Sequence, residues 1–325
     1  MSARRALRPE EWMAAGYALA VAALFALAGL RLSLAPMAAE YGKFLAAIAA
    51  VSLPIWIALR VADLVGRRFV ARAAAADLVE LARSFATLLV VLVAYTNLKS
   101  RITLLHPRLF DEPLADLDAA LHFGGGDFIG WLLGFTHDPV WTARWGTVYF
   151  FAWAALALPF GVAFARAGAA AVRRLSAALG FVYAAGSLLY LALPSLGPAF
   201  AFRPRFAHLA GSAGFAVQES MLAAMLRLLH DPQAAAAPFF GIAAFPSLHL
   251  ATTALGLCAA GRWARPLLPL LILWNLAIVW SALYFGWHYA IDFYPGVALA
   301  WGAWWAAGRL TAAPEAGAGR AADVA

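Results

Sequence analysis

Two short segments near the C-terminal end of the chain hold the residues best suited to do chemistry. The first, Phe245-Pro-Ser-Leu-His249, ends in a histidine, and the second contains His288 and Asp292. Residues four apart lie on one face of a helix, so the Asp292 carboxylate can accept a proton from one imidazole nitrogen of His288. The other nitrogen can then act as nucleophile or base, and the spacing predicts a working His–Asp pair.

His249 stands where it could act on a bound anion. It follows Pro246-Ser247, and a proline there is typical of the first turn of a helix, whose free N–H groups and dipole favour a phosphate. An imidazole at that point can supply a proton to a leaving oxygen. Taken singly, either histidine could equally be a hydrogen-bonded residue near the end of a membrane span. The joint spacing of all three groups favours a functional role over a structural one.

The elements that must hold these residues are transmembrane helices. The chain is 64% hydrophobic and 13% charged, with a mean hydropathy of +0.77, whereas a soluble domain carries about 25% charged residues. Spanning a bilayer takes about 20 apolar residues. The sequence therefore predicts an all-α polytopic membrane helix bundle of about eight spans, at 12–33, 42–60, 82–98, 143–164, 176–193, 244–261, 266–283 and 286–308.

The distribution of basic residues predicts the orientation of this bundle. With the N-terminus in the cytoplasm, 15 of the 24 Lys and Arg residues fall on the cytoplasmic side, Arg4, Arg5, Arg67 and Arg68 among them, as the positive-inside rule requires. Both termini are then cytoplasmic, and the histidines lie at the outer face. Two lysines beside 22 arginines indicate a GC-rich bacterial genome, and hence a bacterial inner membrane. Topology accounts for the net charge of +7, so no nucleic-acid partner is expected.

The two histidine segments resemble a known family. Pro246-Ser-Leu-His249 and Ser281-x6-His288-x3-Asp292 resemble the second and third motifs of the type-2 phosphatidic acid phosphatase superfamily. This resemblance implies that His288 is the phosphate-accepting nucleophile, Asp292 its partner and His249 the general acid. Segments 110–125 and 193–198 further resemble the inositolphosphotransferase branch, which includes inositol phosphorylceramide synthase. The resemblance covers residues 90 to 305.

Three positions depart from the usual pattern of the superfamily. Ala282 stands where an arginine is usual, Leu248 replaces a glycine, and Leu196 stands where the lysine of the first motif would fall. The inositolphosphotransferase branch departs in similar ways, so we interpret these changes as assigning the branch. The resemblance implies a six-helix catalytic core. The sequence predicts three parts: a transmembrane pair with its cytoplasmic linker (1–80), a catalytic membrane domain (81–309) and a cytoplasmic tail (310–325), which is predicted to be disordered because it lacks apolar bulk to pack.

Phosphoryl transfer also needs positive charge and donors around the phosphate oxygens. The candidate phosphate ligands on the outer side are the two motif serines and four cations: Ser247, Ser281, Lys99, Arg101, Arg203 and Arg205. Lys99 and Arg101 could equally be interface anchors that extend toward lipid head groups.

The outer loop after the third span carries an acidic set, Asp111, Asp116 and Asp118. These carboxylates could bind a polyol head group, or they could be the acidic face of a solvated amphipathic helix. Their spacing matches neither an EF-hand loop nor a His-x3-His face, and a phosphohistidine mechanism needs no metal. The sequence therefore predicts neither a metal nor another cofactor.

The predicted substrate is a membrane lipid phosphate or phospholipid, and the acceptor remains open. Water as acceptor would make the protein a lipid phosphatase, whereas a lipid alcohol or polyol hydroxyl would make it a head-group transferase, for example of phosphoinositol. A third hypothesis is a non-catalytic lipid transporter in which the histidines relay protons. The clustering of ionisable residues at one interface disfavours it.

Overall fold

The computed structural model describes residues 7–66, 71–238 and 241–312. Within these ranges the chain is 80% helical, has no strand and forms 13 α-helices, so the prediction of an all-α polytopic membrane bundle is confirmed. Arg4, Arg5, Arg67, Arg68 and the predicted tail from residue 313 onward lie outside the described residues.

The helices vary from one turn to 39 residues in length. In chain order they are α1 Pro9–Leu27, α2 Leu34–Val65, α3 Ala71–Ser100, α4 Ile102–Leu105, α5 Asp111–Phe123, α6 Phe128–Leu133, α7 Pro139–Phe150, α8 Ala154–Ala192, α9 Pro198–Ala201, α10 Ala213–His230, α11 Leu248–Trp263, α12 Leu268–Tyr284 and α13 Phe293–Leu310. Short 3-10 turns occupy Arg203–Leu209, Arg265–Leu267 and Ala290–Asp292.

Five stretches of the described chain are long and apolar enough to cross a bilayer: α1, α2, 73–100 of α3, the combined 139–192, and 265–284. The eight predicted spans all coincide with helices, but α11 and α13 have only 16 and 18 residues and do not meet both criteria. The helix α8 would be about 58 Å long if straight, nearly twice the apolar thickness of a bilayer. It is broken at Gly168, which has a φ of 52° and a ψ of −135°, so residues 154–167 and 169–192 form separate segments.

The Gly168 break is held by Asp77 of α3. Its carboxylate accepts a hydrogen bond of 2.7 Å from the N–H of Ala169, which caps the segment 169–192. A Cβ at Gly168 would lie 2.2 Å from that same carboxylate, so the sharp turn requires a glycine.

Ion pairs fasten the helices at the end of the bundle that holds this break. Arg8 lies 2.6 Å from Glu80, Arg173 lies 2.6 Å from Glu10, and Arg83 pairs with Glu11, so α1, α3 and α8 are joined. Sixteen residues, or about 24 Å of helix, separate Arg83 from Lys99 along α3. The histidine site therefore lies at the opposite end of the bundle, beside the last turn of α3.

The core is built around α8, which packs against α2, α3, α11 and α13. A second cluster of buried side chains, centred on Tyr149, Phe285 and Trp287, surrounds the loop between α12 and α13. This loop carries His288 and Asp292, so these candidate catalytic residues lie between two packed regions.

Candidate functional site

The loop between α12 and α13 brings His288 and Asp292 together. The Nδ1 atom of His288 lies 3.2 Å from one carboxylate oxygen of Asp292, which also accepts a 2.9 Å bond from the N–H of Tyr289. An ionised carboxylate only accepts, so Nδ1 carries the proton of this pair. Both side chains are buried.

The predicted pairing is present, but the local structure that creates it is not a regular helix. His288 precedes a 3-10 turn at Ala290–Asp292, and Tyr289 between them is extended, with a φ of −75° and a ψ of 154°. The reversal before the histidine needs a glycine, because Gly286 has a φ of 63°. A tight turn therefore brings the imidazole and the carboxylate together where we expected one face of a helix.

His249 lies in the first turn of α11, as predicted. Ser247 caps this helix, since its hydroxyl accepts a 3.3 Å bond from the N–H of Leu250. The N–H of Ser247 also donates to the carbonyl of Asp292 over 3.0 Å, which ties the two motifs together. The His249 and His288 ring centroids are 6.3 Å apart, and the Tyr149 hydroxyl lies 3.0 Å from Nδ1 of His249.

Both histidines line a cavity of about 410 Å³, a size typical of small-molecule sites. Its wall is largely aromatic. The lining residues that bear on the chemistry or the shape are Tyr95, Lys99, Tyr149, Trp153, Tyr183, Tyr190, Phe200, Thr252 and Trp287, beside His249 and His288. Val217 and Met221 of α10 also line it, so this helix borders the site. No Asp, Glu or Arg of the described chain lines the cavity.

Lys99 is the cation that the structure brings to the histidines. Its ammonium group lies 6.0 Å from the ring centroid of Tyr95 and 5.6 Å from that of Tyr190. It makes no hydrogen bond or ion pair with any residue that the structure describes. A half-buried ammonium group without a counter-charge is well suited to bind an anion.

The three arginines predicted to bind phosphate lie elsewhere. Arg101 is fully buried over the ring of Phe25, donates to the carbonyl of Ala234 over 2.9 Å, and does not line the cavity. Arg203 pairs with Glu219, and Arg205 pairs with Asp127 at 2.6 Å, both in partly exposed positions. The structure therefore does not support a phosphate-binding role for Arg101, Arg203 or Arg205.

The two motif serines have structural contacts. Ser247 is the helix cap described above, and the hydroxyl of Ser281 donates to the carbonyl of Trp145 over 2.5 Å, which joins α12 to α7. Both serines are almost fully buried, and neither lines the cavity. Their predicted contact with phosphate is thus replaced by helix capping and helix packing.

The acidic helix α5 also differs from its predicted role. Asp111 accepts bonds from the N–H groups of Leu196 and Gly197, and Asp118 accepts bonds from those of Ala290 and Ile291, so both are buried and occupied. Asp116 is exposed and makes no hydrogen bond or ion pair with the described chain. None of the three lines the cavity, so α5 does not offer its carboxylates to a head group there.

Burial raises the pKa of both Asp111 and Asp118 above that of an exposed aspartate. The bonds from backbone N–H groups oppose this increase without cancelling it.

Sequence analysis missed two groups that support the site. Tyr149 contacts His249 and stacks on Trp287, with ring centroids 5.4 Å apart, yet a single tyrosine in an apolar helix gives no signal by itself. Ser195 accepts from the N–H of Ala244 through its carbonyl (2.9 Å) and from the N–H of Phe245 through its hydroxyl (3.0 Å). It lies in the segment 193–198 that resembled the inositolphosphotransferase branch, which was the available signal.

A helical membrane bundle with two histidines and an aspartate beside an unneutralised lysine defines a site suited to phosphoryl transfer on a lipid. The model of the PAP2 superfamily matches residues 112–306, more than half of the chain, so the chain belongs to this superfamily. Its members are phosphatases or phosphotransferases, which makes the protein an enzyme and a lipid phosphate its substrate class. No curated protein and no solved structure matches the chain. The inositolphosphotransferase branch stays a prediction.

Proposed function

We propose that the protein is a lipid phosphotransferase that moves a phosphorylated head group between lipids through a phosphohistidine at His288. One observation carries the proposal: His288, His249 and Lys99 line the same cavity, and Asp292 orients the imidazole of His288. These groups supply a nucleophile, a proton donor and a positive charge, the three requirements of the reaction.

The first step forms the phosphohistidine. The Nδ1 proton of His288 faces Asp292, so Nε2 carries the lone pair that attacks phosphorus. A P–N bond forms while the P–O bond to the leaving group breaks, and His249 gives its proton to that oxygen. Tyr149 orients His249, and Lys99 offsets the negative charge on the equatorial oxygens.

The second step returns the enzyme to its initial state. His249, now neutral, takes the proton of the acceptor hydroxyl, whose oxygen attacks phosphorus. The new P–O bond forms as the P–N bond breaks, and His249 regains the proton that it gave up in the first step. By the distribution of basic residues, this reaction takes place at the outer face of the membrane, with both chain termini in the cytoplasm.

The shape of the cavity supports a lipid alcohol as the acceptor. From the histidines and Lys99 the cavity continues toward the bundle centre, past Thr252 on α11 and Tyr183 on α8. Tyr183 stands seven residues, about 10 Å, before Tyr190 on the same helix. The largely aromatic walls at this depth leave room for an apolar chain, which supports a lipid alcohol as the acceptor.

Hydrolysis of a phosphate monoester is a second candidate, and one observation favours it. No carboxylate of the described chain lines the cavity, because Asp111 and Asp118 are engaged by backbone N–H groups. A polyol head group such as inositol would therefore find few acceptors there. The transporter hypothesis is not retained, since the chain belongs to a superfamily of enzymes.

A product assay separates the two candidates. Purified protein in detergent and EDTA is incubated with phosphatidic acid, an isoprenyl phosphate or phosphatidylinositol, each with and without ceramide or diacylglycerol. Free phosphate and new phospholipid are then measured together. A new phospholipid that requires the acceptor is the expected result, whereas free phosphate that ignores the acceptor would identify a phosphatase. Absence of both products with every lipid would refute the proposed function.

A further inference from the structure

Helix α5 touches the catalytic loop through a pair of parallel hydrogen bonds. One carboxylate oxygen of Asp118 accepts from the N–H of Ala290 over 2.9 Å, and the other accepts from the N–H of Ile291 over 2.7 Å. These are the two residues directly before Asp292, at the point where the chain turns into α13. Free N–H groups at a helix start need an acceptor, and here a separate helix supplies it.

Asp111, two turns earlier on α5, holds the same loop from its other side. It accepts a 3.0 Å bond from the hydroxyl of Tyr289 and bonds of 3.0 and 2.8 Å from the N–H groups of Leu196 and Gly197. The segment after Gly197 is bonded in turn to the catalytic loop, since the N–H of Ala199 donates to the carbonyl of Gly286 over 2.9 Å. The loop is therefore fixed on both sides of His288.

We infer that Asp118 and Asp111 are positioning residues, which set the geometry of His288 and Asp292 by holding the backbone of residues 289–291. The inference rests on the proposed function, because it concerns the same histidine. Neither aspartate lines the cavity, so each acts through the loop and not on substrate. The acidic helix, for which the sequence left a head-group site and a solvated face open, thus belongs to the support of the nucleophile.

The geometry of Asp292 explains why this support matters. One of its oxygens accepts from His288 and Tyr289, while the other is buried without a hydrogen-bond partner in the described chain. The position of the carboxylate therefore depends on the backbone of the loop, because the side chain itself makes few hydrogen bonds. A displacement of about 1 Å at a reacting group can cost on the order of 100-fold in rate.

A simple packing role is the competing explanation, and α5 offers a matched control. Leu114 supplies buried apolar surface on the same helix, and Asp116 is exposed with no bond to the described chain. Asp118→Asn keeps the shape of the side chain but replaces one of its two acceptors by an amide donor. Asp116→Asn makes the same chemical change at a side chain that bonds to no other part of the described chain.

The experiment measures phosphohistidine formation in a single turnover. Each purified variant is mixed with 32P-labelled phosphatidic acid, isoprenyl phosphate or phosphatidylinositol, whichever the wild type turns over in the product assay, and is quenched in base. The amplitude counts competent sites, and the rate constant reports the chemistry at each site. Positioning predicts that Asp118→Asn keeps the amplitude and slows the rate constant by about 10- to 100-fold, while Asp116→Asn matches the wild type.

The possible results separate the hypotheses. A lower amplitude with an unchanged rate constant would show that Asp118 serves folding alone and would overturn the inference, as would a rate equal to that of Asp116→Asn. If Asp118→Asn does not fold, Tyr289→Phe tests the same idea, since it removes one bond to Asp111 and should slow the rate constant about threefold to tenfold at full amplitude. An unchanged rate constant in Tyr289→Phe would also count against it. A wild type that turns over lipid without labelling would instead refute the phosphohistidine on which the inference depends.

Discussion

Replacing Lys99 by methionine should disable the enzyme without unfolding it. Lys99 is the cation of the described chain that lines the cavity with both histidines, and no carboxylate neutralises it. Methionine has a similar length and no charge, so the wall of the cavity stays filled. Because Lys99 has no ion-pair partner, its removal leaves no buried charge behind.

The size of the effect follows from the charge that Lys99 would contact. Two unit charges about 4 Å apart interact by about 4 kcal/mol at an effective dielectric constant of 20. Part of this energy already stabilises bound substrate and does not speed the reaction. Removal of one preorganised donor to a transition state typically costs about 2.7 to 4 kcal/mol, so we expect kcat/KM to fall about 100- to 1,000-fold in Lys99→Met.

The assay compares kcat/KM for Lys99→Met, Arg203→Met and Arg205→Met in detergent, with the thermal midpoint Tm as a check of folding. The two arginine variants remove partly exposed ion pairs away from the cavity and should stay within about threefold of the wild type. Equal losses in Lys99→Met and Arg203→Met would refute the selection of Lys99 as the phosphate ligand. A Lys99→Met enzyme with nearly full activity would refute it as well.

Three further predictions concern the support of the site. Tyr149→Phe should lower kcat about threefold to tenfold, because it removes a bond to His249, the general acid. Substrates with a more basic leaving-group oxygen depend more on this acid, so the loss should be larger for them. An equal loss for all leaving groups would argue against the orientation of His249 by Tyr149. Gly197→Ala should lower Tm more than Gly211→Ala, since both have a positive φ but only at Gly197 would a Cβ lie 2.6 Å from a backbone oxygen, and equal Tm values would contradict this. The pKa of Asp118 is higher in the folded than in the unfolded protein, so its ionisation at high pH costs stability. When the pH is lowered from 7.5 to about 4.5, the Tm of the wild type should therefore rise relative to the Tm of Asp118→Asn. A difference in Tm that does not change with pH would contradict this prediction.

Spacing in the sequence was sufficient to predict how the candidate catalytic residues are placed, but not which residues support them. A histidine and an aspartate four residues apart can meet in a helix or in a tight turn, so their pairing could be predicted without knowledge of the local fold. The position of His249 in a first helical turn followed from the preceding proline and serine in the same way. Both inferences depend on neighbours in the chain.

Which of the candidate cations reaches the cavity could be decided only from the tertiary structure. Lys99 and Arg101 are close in sequence, but residues two apart near a helix end face nearly opposite sides, so one reaches the cavity and the other reaches Phe25. That much could have been predicted from the helix alone. Which face of α3 meets the cavity depends on how this helix packs against α1 and α8. The local sequence does not predict that packing.

The role of the acidic helix could not be predicted from its composition. Aspartates on an amphipathic helix are consistent with a solvated face, a head-group site or a set of acceptors for backbone N–H groups. Only the contact of α5 with the loop 289–291 selects the third. The division of the chain at residues 80 and 309 stays a prediction.

The central claim is that His288 carries the phosphoryl group between donor and acceptor. The most direct measurement incubates wild type, His288→Ala and Asp116→Asn with 32P-labelled lipid phosphate, quenches in base and locates the bound label by peptide mapping. The account predicts a base-stable, acid-labile phosphate on His288 in the wild type and in Asp116→Asn, and neither label nor turnover in His288→Ala. Turnover at the wild-type rate in His288→Ala, or a label on another residue, would contradict it.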